Sequence, residues 1–269
     1  MKLSEARLIT ARRLAAVSEE AGFEALLMLS HVTGLELSAL RTAEAEISPE
    51  SAEKLEEMTE RRLSREPLQY LLGEWYFMGL PFFVGPEALI PRQDTETLCE
   101  EAAGLIAERG YETLLDICTG TGCVAVSLAK LTGINTEASD ISPACVRLAL
   151  RNAERNGADI KARTADLFEG AARYDIITAN PPYISDEDMM GLAPELAFEP
   201  RLALSGGADG LDVYRRIAEE AARHLNPGGA LVMEVGQGEA GAVADMFPGK
   251  EVRIVRDLNG VERVVIVTV

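Results

Sequence analysis

From Thr113 onward the chain alternates short β-forming runs with stretches of helical periodicity. No other feature constrains the fold as much, because strands separated by helices are joined by crossovers and therefore lie parallel. The runs fall at residues 112–117, 134–139, 160–164, 174–179, 229–235, 250–256 and 261–268. Ser142-Pro143 opens one intervening helix as N-cap and first helical residue, and another runs from Leu211 to Leu225, closed by Pro227-Gly228-Gly229. Only Asp257-Leu258-Asn259-Gly260 separates the last two strands, and Asn-Gly is a tight-turn dipeptide. The expected α/β fold is thus a seven-stranded, mostly parallel sheet with an antiparallel C-terminal hairpin at its edge.

The first 72 residues read as helices only. Apolar residues recur at helical spacing from residue 2 to about 20, where Gly22 interrupts them, and again from Phe23 to Val32, closed by Gly34. Ser48-Pro49 starts a Glu-rich helix reaching Arg65, and a short turn begins near Pro67. This small all-α domain, residues 1–72, carries no cluster of catalytic side chains, which leaves it partner recognition or packing. Residues 73–93 are rich in aromatics, Gly and Pro and suit a β-hairpin linker turning around Gly79 to Pro81. Asp94 is placed to cap a helix reaching Arg109, the first element of an α/β domain over 94–269.

Charge narrows the partners. With 44 acidic against 26 basic residues the net charge is −18, which repels a phosphate backbone, so direct nucleic-acid binding is not expected. Arg12-Arg13, Arg61-Arg62 and Arg215-Arg216 each sit among acids and read as solvated helix faces. No apolar stretch suits a membrane span and the N-terminus lacks a secretory pattern, so a cytoplasmic location is expected. The four cysteines form no Cys-x-x-Cys pair and only two histidines are present, so no metal site is expected and the thiols read as reduced, buried, small apolar residues.

The chemistry sits at the strand ends, where open α/β sheets bind ligands. The first strand runs into Cys118-Thr119-Gly120-Thr121-Gly122 and then a helix, so permissive backbone meets free helix N–H groups. Val124 and Ala125 stand where a dinucleotide fingerprint needs its third glycine, which favours an amino-acid-bearing cofactor over a pyrophosphate. Asp140, ending the second strand, suits a pair of ribose hydroxyls, or else caps the helix near Ser142. Asp166, Leu167 and Phe168 follow the third strand, the acid suited to an adenine amino group and the apolar pair to the base. The fourth strand stops abruptly at Asn180-Pro181-Pro182-Tyr183, which fixes an amide and a phenol at its tip.

These four tips resemble those of class I S-adenosylmethionine-dependent methyltransferases, with their Rossmann-like sheet, and Asn-Pro-Pro-Tyr narrows the resemblance to those that methylate nitrogen. Leu89-Ile90-Pro91-Arg92-Gln93-Asp94-Thr95-Glu96 is similar to the Ile-Pro-Arg-Pro-Asp-Thr-Glu stretch of the release-factor glutamine methyltransferases, the HemK/PrmC type. The resemblance extends to Gly73-Glu74, Gly79-Leu80-Pro81-Phe82, Phe198-Glu199-Pro200, Gly210-Leu211-Asp212 and the closing segment from Asp257 to Arg263. Gln93 departs from the family's second proline. Cys118 replaces the first glycine of its cofactor loop, and a side chain there requires a negative φ.

The resemblance implies S-adenosylmethionine bound by Cys118 to Gly122, Asp140, Asp166, Leu167 and Asn180. It also implies a glutamine amide held by Asn180 and the Pro181 carbonyl, with Tyr183 packed on the substrate side chain and Pro182 supporting the loop. The implied substrate is the glutamine of the Gly-Gly-Gln loop of peptide chain release factors. Alternatives are a ribosomal-protein glutamine, an exocyclic amino group of a flipped nucleic-acid base, and a cofactor-binding scaffold without turnover.

Overall fold

The computed structural model describes residues 1–40 and 45–269. It consists of two compact units, Met1–Gly73 with Ala193–Phe198, and Glu74–Leu192 with Glu199–Val269.

The first unit holds α1 (Leu3–Leu14), α2 (Ala21–Thr33), α3 (Leu37–Leu40), α4 (Pro49–Leu63) and α5 (Leu68–Leu72). Leu3, Leu14, Met28, Leu29 and Leu55 are the centre of its apolar core. The α1 helix stops well short of residue 20 and closes in a turn in which the N–H groups of Val17 and Ser18 share the Leu14 carbonyl. Gly22 accordingly falls in the first turn of α2 rather than between helices. Ser48 caps α4 as expected, its Oγ accepting from the Ser51 N–H at 3.1 Å. Arg62 is not on a solvated face. It continues the buried stripe Leu55, Met58 and Thr59 of α4, and its guanidinium donates to Glu24 at 2.8 Å and to Glu195 at 3.1 Å. A buried arginine persists only when paired in this way.

The second unit opens with the antiparallel hairpin β1 (Glu74–Phe77) and β2 (Leu80–Phe83). Its two-residue loop is Met78-Gly79, with φ of 50° and 73°, the type I′ geometry whose twist suits a hairpin. The Met78 N–H donates to Glu96 Oε1 at 2.6 Å. Then follow α6 (Asp94–Arg109), β3 (Thr113–Ile117), α7 (Cys123–Thr132), β4 (Asn135–Asp140), α8 (Pro143–Asn156), β5 (Ile160–Thr164) and β6 (Tyr174–Ala179). The chain ends through β7 (Ile184–Ser185), β8 (Ser205–Gly207), α9 (Asp212–His224), β9 (Leu225–Glu234), α10 (Ala240–Ala244), β10 (Glu251–Arg256) and β11 (Glu262–Thr268).

Seven strands form one sheet in the order β10-β11-β9-β6-β3-β4-β5. β11 runs antiparallel to both neighbours, and the remaining pairs are parallel. The sheet is the expected Rossmann-like one with its antiparallel hairpin at one edge. From β3 the chain winds outward to β5 and returns to β6 on the other side, leaving a crevice at the carboxyl ends of β3 and β6. Side chains alternate between two cores: Leu114, Ile176 and Val232 pack under α6, whereas Leu115, Ile177 and Met233 pack under α9.

Local details differ from expectation. Asp94 does not cap α6. Gln93 occupies the N-cap position without a side-chain bond, and Asp94 lies in the first turn, where the helix dipole favours an acid, 3.1 Å from Arg263. Pro227-Gly228-Gly229 does not separate helix from strand. It forms a bulge inside β9, between the pairs Tyr174↔Leu225 and Ile176↔Ala230, tied down by Asn226 Nδ2 donating to Asp175 at 2.7 Å. The short parallel pair β7 and β8 has no counterpart in the sequence pattern.

Candidate active site

A cavity of about 280 Å³ opens at the carboxyl ends of β3, β4 and β6. Its floor is the loop from Cys118 to Gly122, in which Cys118, Gly120 and Gly122 have φ of 57°, 54° and 78°. Cys118 therefore does not hold the negative φ expected of it. A left-handed non-glycine residue costs about 1–2 kcal/mol, and the loop is over-determined by its bonds. Thr119 Oγ1 donates to Asp116 at 2.6 Å, the Thr119 N–H to the Ser139 carbonyl at 3.1 Å, and the Gly120 N–H to Asp140 at 2.9 Å. An added Cβ on Gly120 would meet nothing nearer than Ala88 at 3.9 Å, so its backbone stays open toward the cavity. At Gly122 a Cβ would lie 2.8 Å from that of Ala149, so this glycine is required by the packing of α7 on α8.

Asp116 anchors the floor from below. Its second oxygen accepts from Thr178 Oγ1 at 2.7 Å, and burial pushes its carboxyl up to about 6 against the pull of both hydroxyls. Asp140 is also buried, which raises its pKa. Its oxygens accept from the Gly120 and Ser142 N–H groups, each at 2.9 Å. Ser142, not Asp140, is the N-cap of α8. The Cys145 thiol also favours the ionised form, and the carboxylate retains lone-pair capacity for a ligand.

On the next wall Asp166 pairs with Arg216 at 2.9 Å, with both side chains partly exposed. Leu167 reaches the cavity from a φ of 48°. Phe168 turns away from it into the core, stacked on His224 with ring centroids 4.9 Å apart. The segment after the hairpin forms the opposite wall, so it does more than connect. Buried Glu199 accepts from the Ile90 N–H at 2.9 Å and pairs with Arg92, while Cys145 Sγ donates to the Glu87 carbonyl at 3.0 Å.

Asn180 and Pro182 line the same cavity. Asn180 Nδ2 donates to Thr95 Oγ1 at 3.2 Å, and among the described residues no donor is bonded to Oδ1. Pro181 is buried and its side chain is not among the residues lining the cavity. Tyr183 does not line the cavity; it packs against the α9 core, where burial pushes its phenol up to about 12.

This architecture can be set beside known proteins. A PrmC N-terminal domain model matches residues 5–73 and a methyltransferase small domain model matches residues 102–201. The release factor glutamine methyltransferase of Geobacter sulfurreducens is 43% identical over 255 residues, which span 92% of this chain and 89% of that one. This chain belongs to the release factor glutamine methyltransferases. The ribosomal protein uL3 glutamine methyltransferase of Bradyrhizobium diazoefficiens is 37% identical over 77% of this chain and 69% of its own. Among solved structures a methyltransferase from Pyrococcus furiosus superposes with a TM-score of 0.53 at 21% identity, over 71% of this chain and 90% of that one, which supports the fold.

Within this methyltransferase several site residues carry no sequence signal of their own. Glu234 ends an apolar strand run and is 1% exposed. Burial pushes it up to about 7, and its Oε2 has no hydrogen-bond partner among the described residues. Three glycines make room for Tyr183: an added Cβ on Gly206 would fall 2.8 Å from Tyr183 Cα, one on Gly236 3.0 Å from Tyr183 Cδ2, and one on Gly210 against the Tyr183 carbonyl. Glu239 accepts from the Gly236 N–H at 3.0 Å, and burial raises it to about 7. Of these glycines and glutamates only Gly210 lies in a family-like segment of the sequence. All four cysteines are free, three buried and Cys118 partly so. Among the described residues no group of three or more His, Cys, Asp or Glu gathers as a metal site, and no helix is long and apolar enough to cross a membrane.

Proposed function

We propose that this enzyme transfers a methyl group from S-adenosylmethionine to the side-chain amide nitrogen of the glutamine in the Gly-Gly-Gln loop of peptide chain release factors. The observation that carries the reading is the Asn180 amide, set at the cavity with its NH2 group engaged by Thr95 and its oxygen left to accept.

The cavity residues fit the cofactor. The open Gly120 backbone offers close approach, Asp140 has lone pairs for two ribose hydroxyls, and Leu167 with Asp166 offers an apolar surface edged by an acceptor for the adenine amino group. When bound, S-adenosylmethionine supplies an electrophilic methyl group on a sulfonium. An amide nitrogen is a poor nucleophile because its lone pair is delocalised into the carbonyl. Asn180 Oδ1 and the Pro181 carbonyl would accept the two amide hydrogens and turn the nitrogen toward the methyl donor, so this chain contributes positioning and exclusion of water. Pro182 stiffens the loop from the cavity side, and Tyr183 braces it from the core side. A base is not required before transfer, since the nitrogen's proton becomes acidic on alkylation.

The helical unit would recognise the protein substrate, in the cytoplasm where translation terminates. The test is incubation with labelled cofactor and, in parallel, purified release factor, ribosomal protein uL3 and nucleic acid. Label is expected on the release-factor glutamine. Label on uL3 alone would move the substrate to the ribosome, and label in nucleic acid alone would overturn the reading. Asn180→Ala is expected to lower kcat by roughly a hundredfold or more while cofactor affinity, read by calorimetry, changes little; unchanged turnover would remove Asn180 from its role.

A further inference from the structure

Glu234 is a buried acid at the catalytic strand tip that the mechanism above leaves unused. The sheet register places it: Ala179 of β6 pairs with Met233 of β9, so Asn180 and Glu234 are the next residues of two adjacent parallel strands. Strand alternation puts both on the side of the sheet that holds Ile176, Val232 and α6. Thr95, in the first turn of α6 and 2% exposed, closes the group. Thr95 and Asn180 both lie beside the Glu234 carboxyl and favour its ionised form, and Asn180 Nδ2 donates to Thr95 Oγ1 at 3.2 Å.

An asparagine amide presents an oxygen on one side and an NH2 on the other, two ends of nearly the same shape. Packing alone does not choose between them. A carboxylate only accepts hydrogen bonds, so an ionised Glu234 attracts the NH2 end and repels the oxygen. We propose that Glu234, with Thr95 as intermediary, is a positioning residue that fixes the Asn180 amide with its oxygen toward the substrate nitrogen.

This inference rests on the glutamine-methylation reading for its kinetic consequence, and on geometry alone for the orientation itself. Protonation of Glu234 would turn it into a donor able to bond the Asn180 oxygen, and the selection would be lost. Charged and titratable groups face it from each packed element: Asp94 and Cys99 of α6, Cys123 of α7, Tyr183 after β6, Tyr214 of α9 and Arg263 of β11. Arg263 favours the ionised form and Asp94 opposes it, and burial outweighs both, giving a pKa of about 7. Activity should therefore rise with pH through neutrality.

The experiment compares wild type with Glu234→Gln, Thr95→Ser and Thr95→Val, by steady-state kinetics from pH 6 to 9 and by NMR of the assigned Asn180 side-chain NH2. Glu234→Gln is expected to lower kcat roughly ten- to a hundredfold with an unchanged cofactor KM, and to abolish the limb near pH 7. Thr95→Ser should retain activity and Thr95→Val should lose it. The Asn180 NH2 signals should titrate near pH 7 in wild type and stay flat in Glu234→Gln. A Glu234→Gln enzyme with the wild-type kcat and pH profile would overturn the proposal, as would Asn180 signals indifferent to pH in the wild type. If the wild type fails to methylate glutamine, the functional reading falls while the NMR titration still decides this one. Should Glu234→Gln not fold, the threonine pair and the wild-type titration decide.

Discussion

At the scale of single residues, backbone strain marks part of the cavity wall. Among the described residues Arg65, Met78, Cys118 and Leu167 are the non-glycine positions with positive φ, and two of them line the cavity. Backbone in that region persists only when its surroundings over-determine it, as the bonds of Thr119 and Gly120 do beside Cys118. Replacing Cys118 by valine, whose branched Cβ tolerates this conformation least, should destabilise the fold by about 1–3 kcal/mol in urea denaturation. Cys118→Gly should change stability by less than about 1 kcal/mol, because relief of strain is offset by glycine's greater unfolded-state entropy. Equal effects of the two substitutions would show that the loop tolerates a side chain without strain. Asn180, Asp140 and the two glycines were legible in the sequence because each belongs to a local motif whose spacing carries its meaning. Glu234 was not, since only the β6–β9 register brings it beside Asn180, and Thr95, though inside a family-like stretch, shows its contact with Asn180 only in the fold, across 85 positions.

At the scale of elements, the parallel sheet was legible because its crossover helices write their period into the chain, whereas strands of two and three residues leave no period to read. The β7–β8 pair sets the position of the Asn-Pro-Pro-Tyr loop as it leaves β6, with Ile184 paired to Ser205. It works only because Gly206 lets Tyr183 pass. A methyl group at Gly206 would meet backbone rather than a flexible side-chain end, so Gly206→Ala should displace the loop. A loss of roughly 1–3 kcal/mol is expected from overpacking, with a fall in kcat larger than that of an alanine at exposed Gly241, where a Cβ meets nothing within 4 Å. Denaturation and turnover of the two variants, measured side by side, check this. Parity between them would sink the packing argument.

At the scale of the whole molecule, the buried acids act together on stability. Asp116, Glu234 and Glu239 have pKa values of about 6, 7 and 7, all raised by burial above their ordinary values of 3.8 and 4.5. A raised carboxylic acid binds its proton more tightly when folded, so its contribution is fully present below the unfolded pKa and is lost as pH climbs through the folded one. The melting temperature should therefore rise when pH is lowered from 7.5 to 5.5, the same direction in which the charge of −18 is relieved. The acids with lowered values, Glu50, Asp175, Glu195, Asp209 and Asp257, titrate below this window and do not reverse the trend. A melting temperature that stays level or falls on acidification would contradict the burial of these groups. The Glu199 contacts carry a different consequence. One carboxylate stitches Ile90 and Arg92 to a residue 109 and 107 positions later, so during synthesis the wall after the hairpin waits for more than a hundred residues before its anchor exists. Long-range contacts of this kind form slowly. A nascent chain emerging from the ribosome can thus complete much of its parallel sheet while the cavity beside that sheet still lacks a wall.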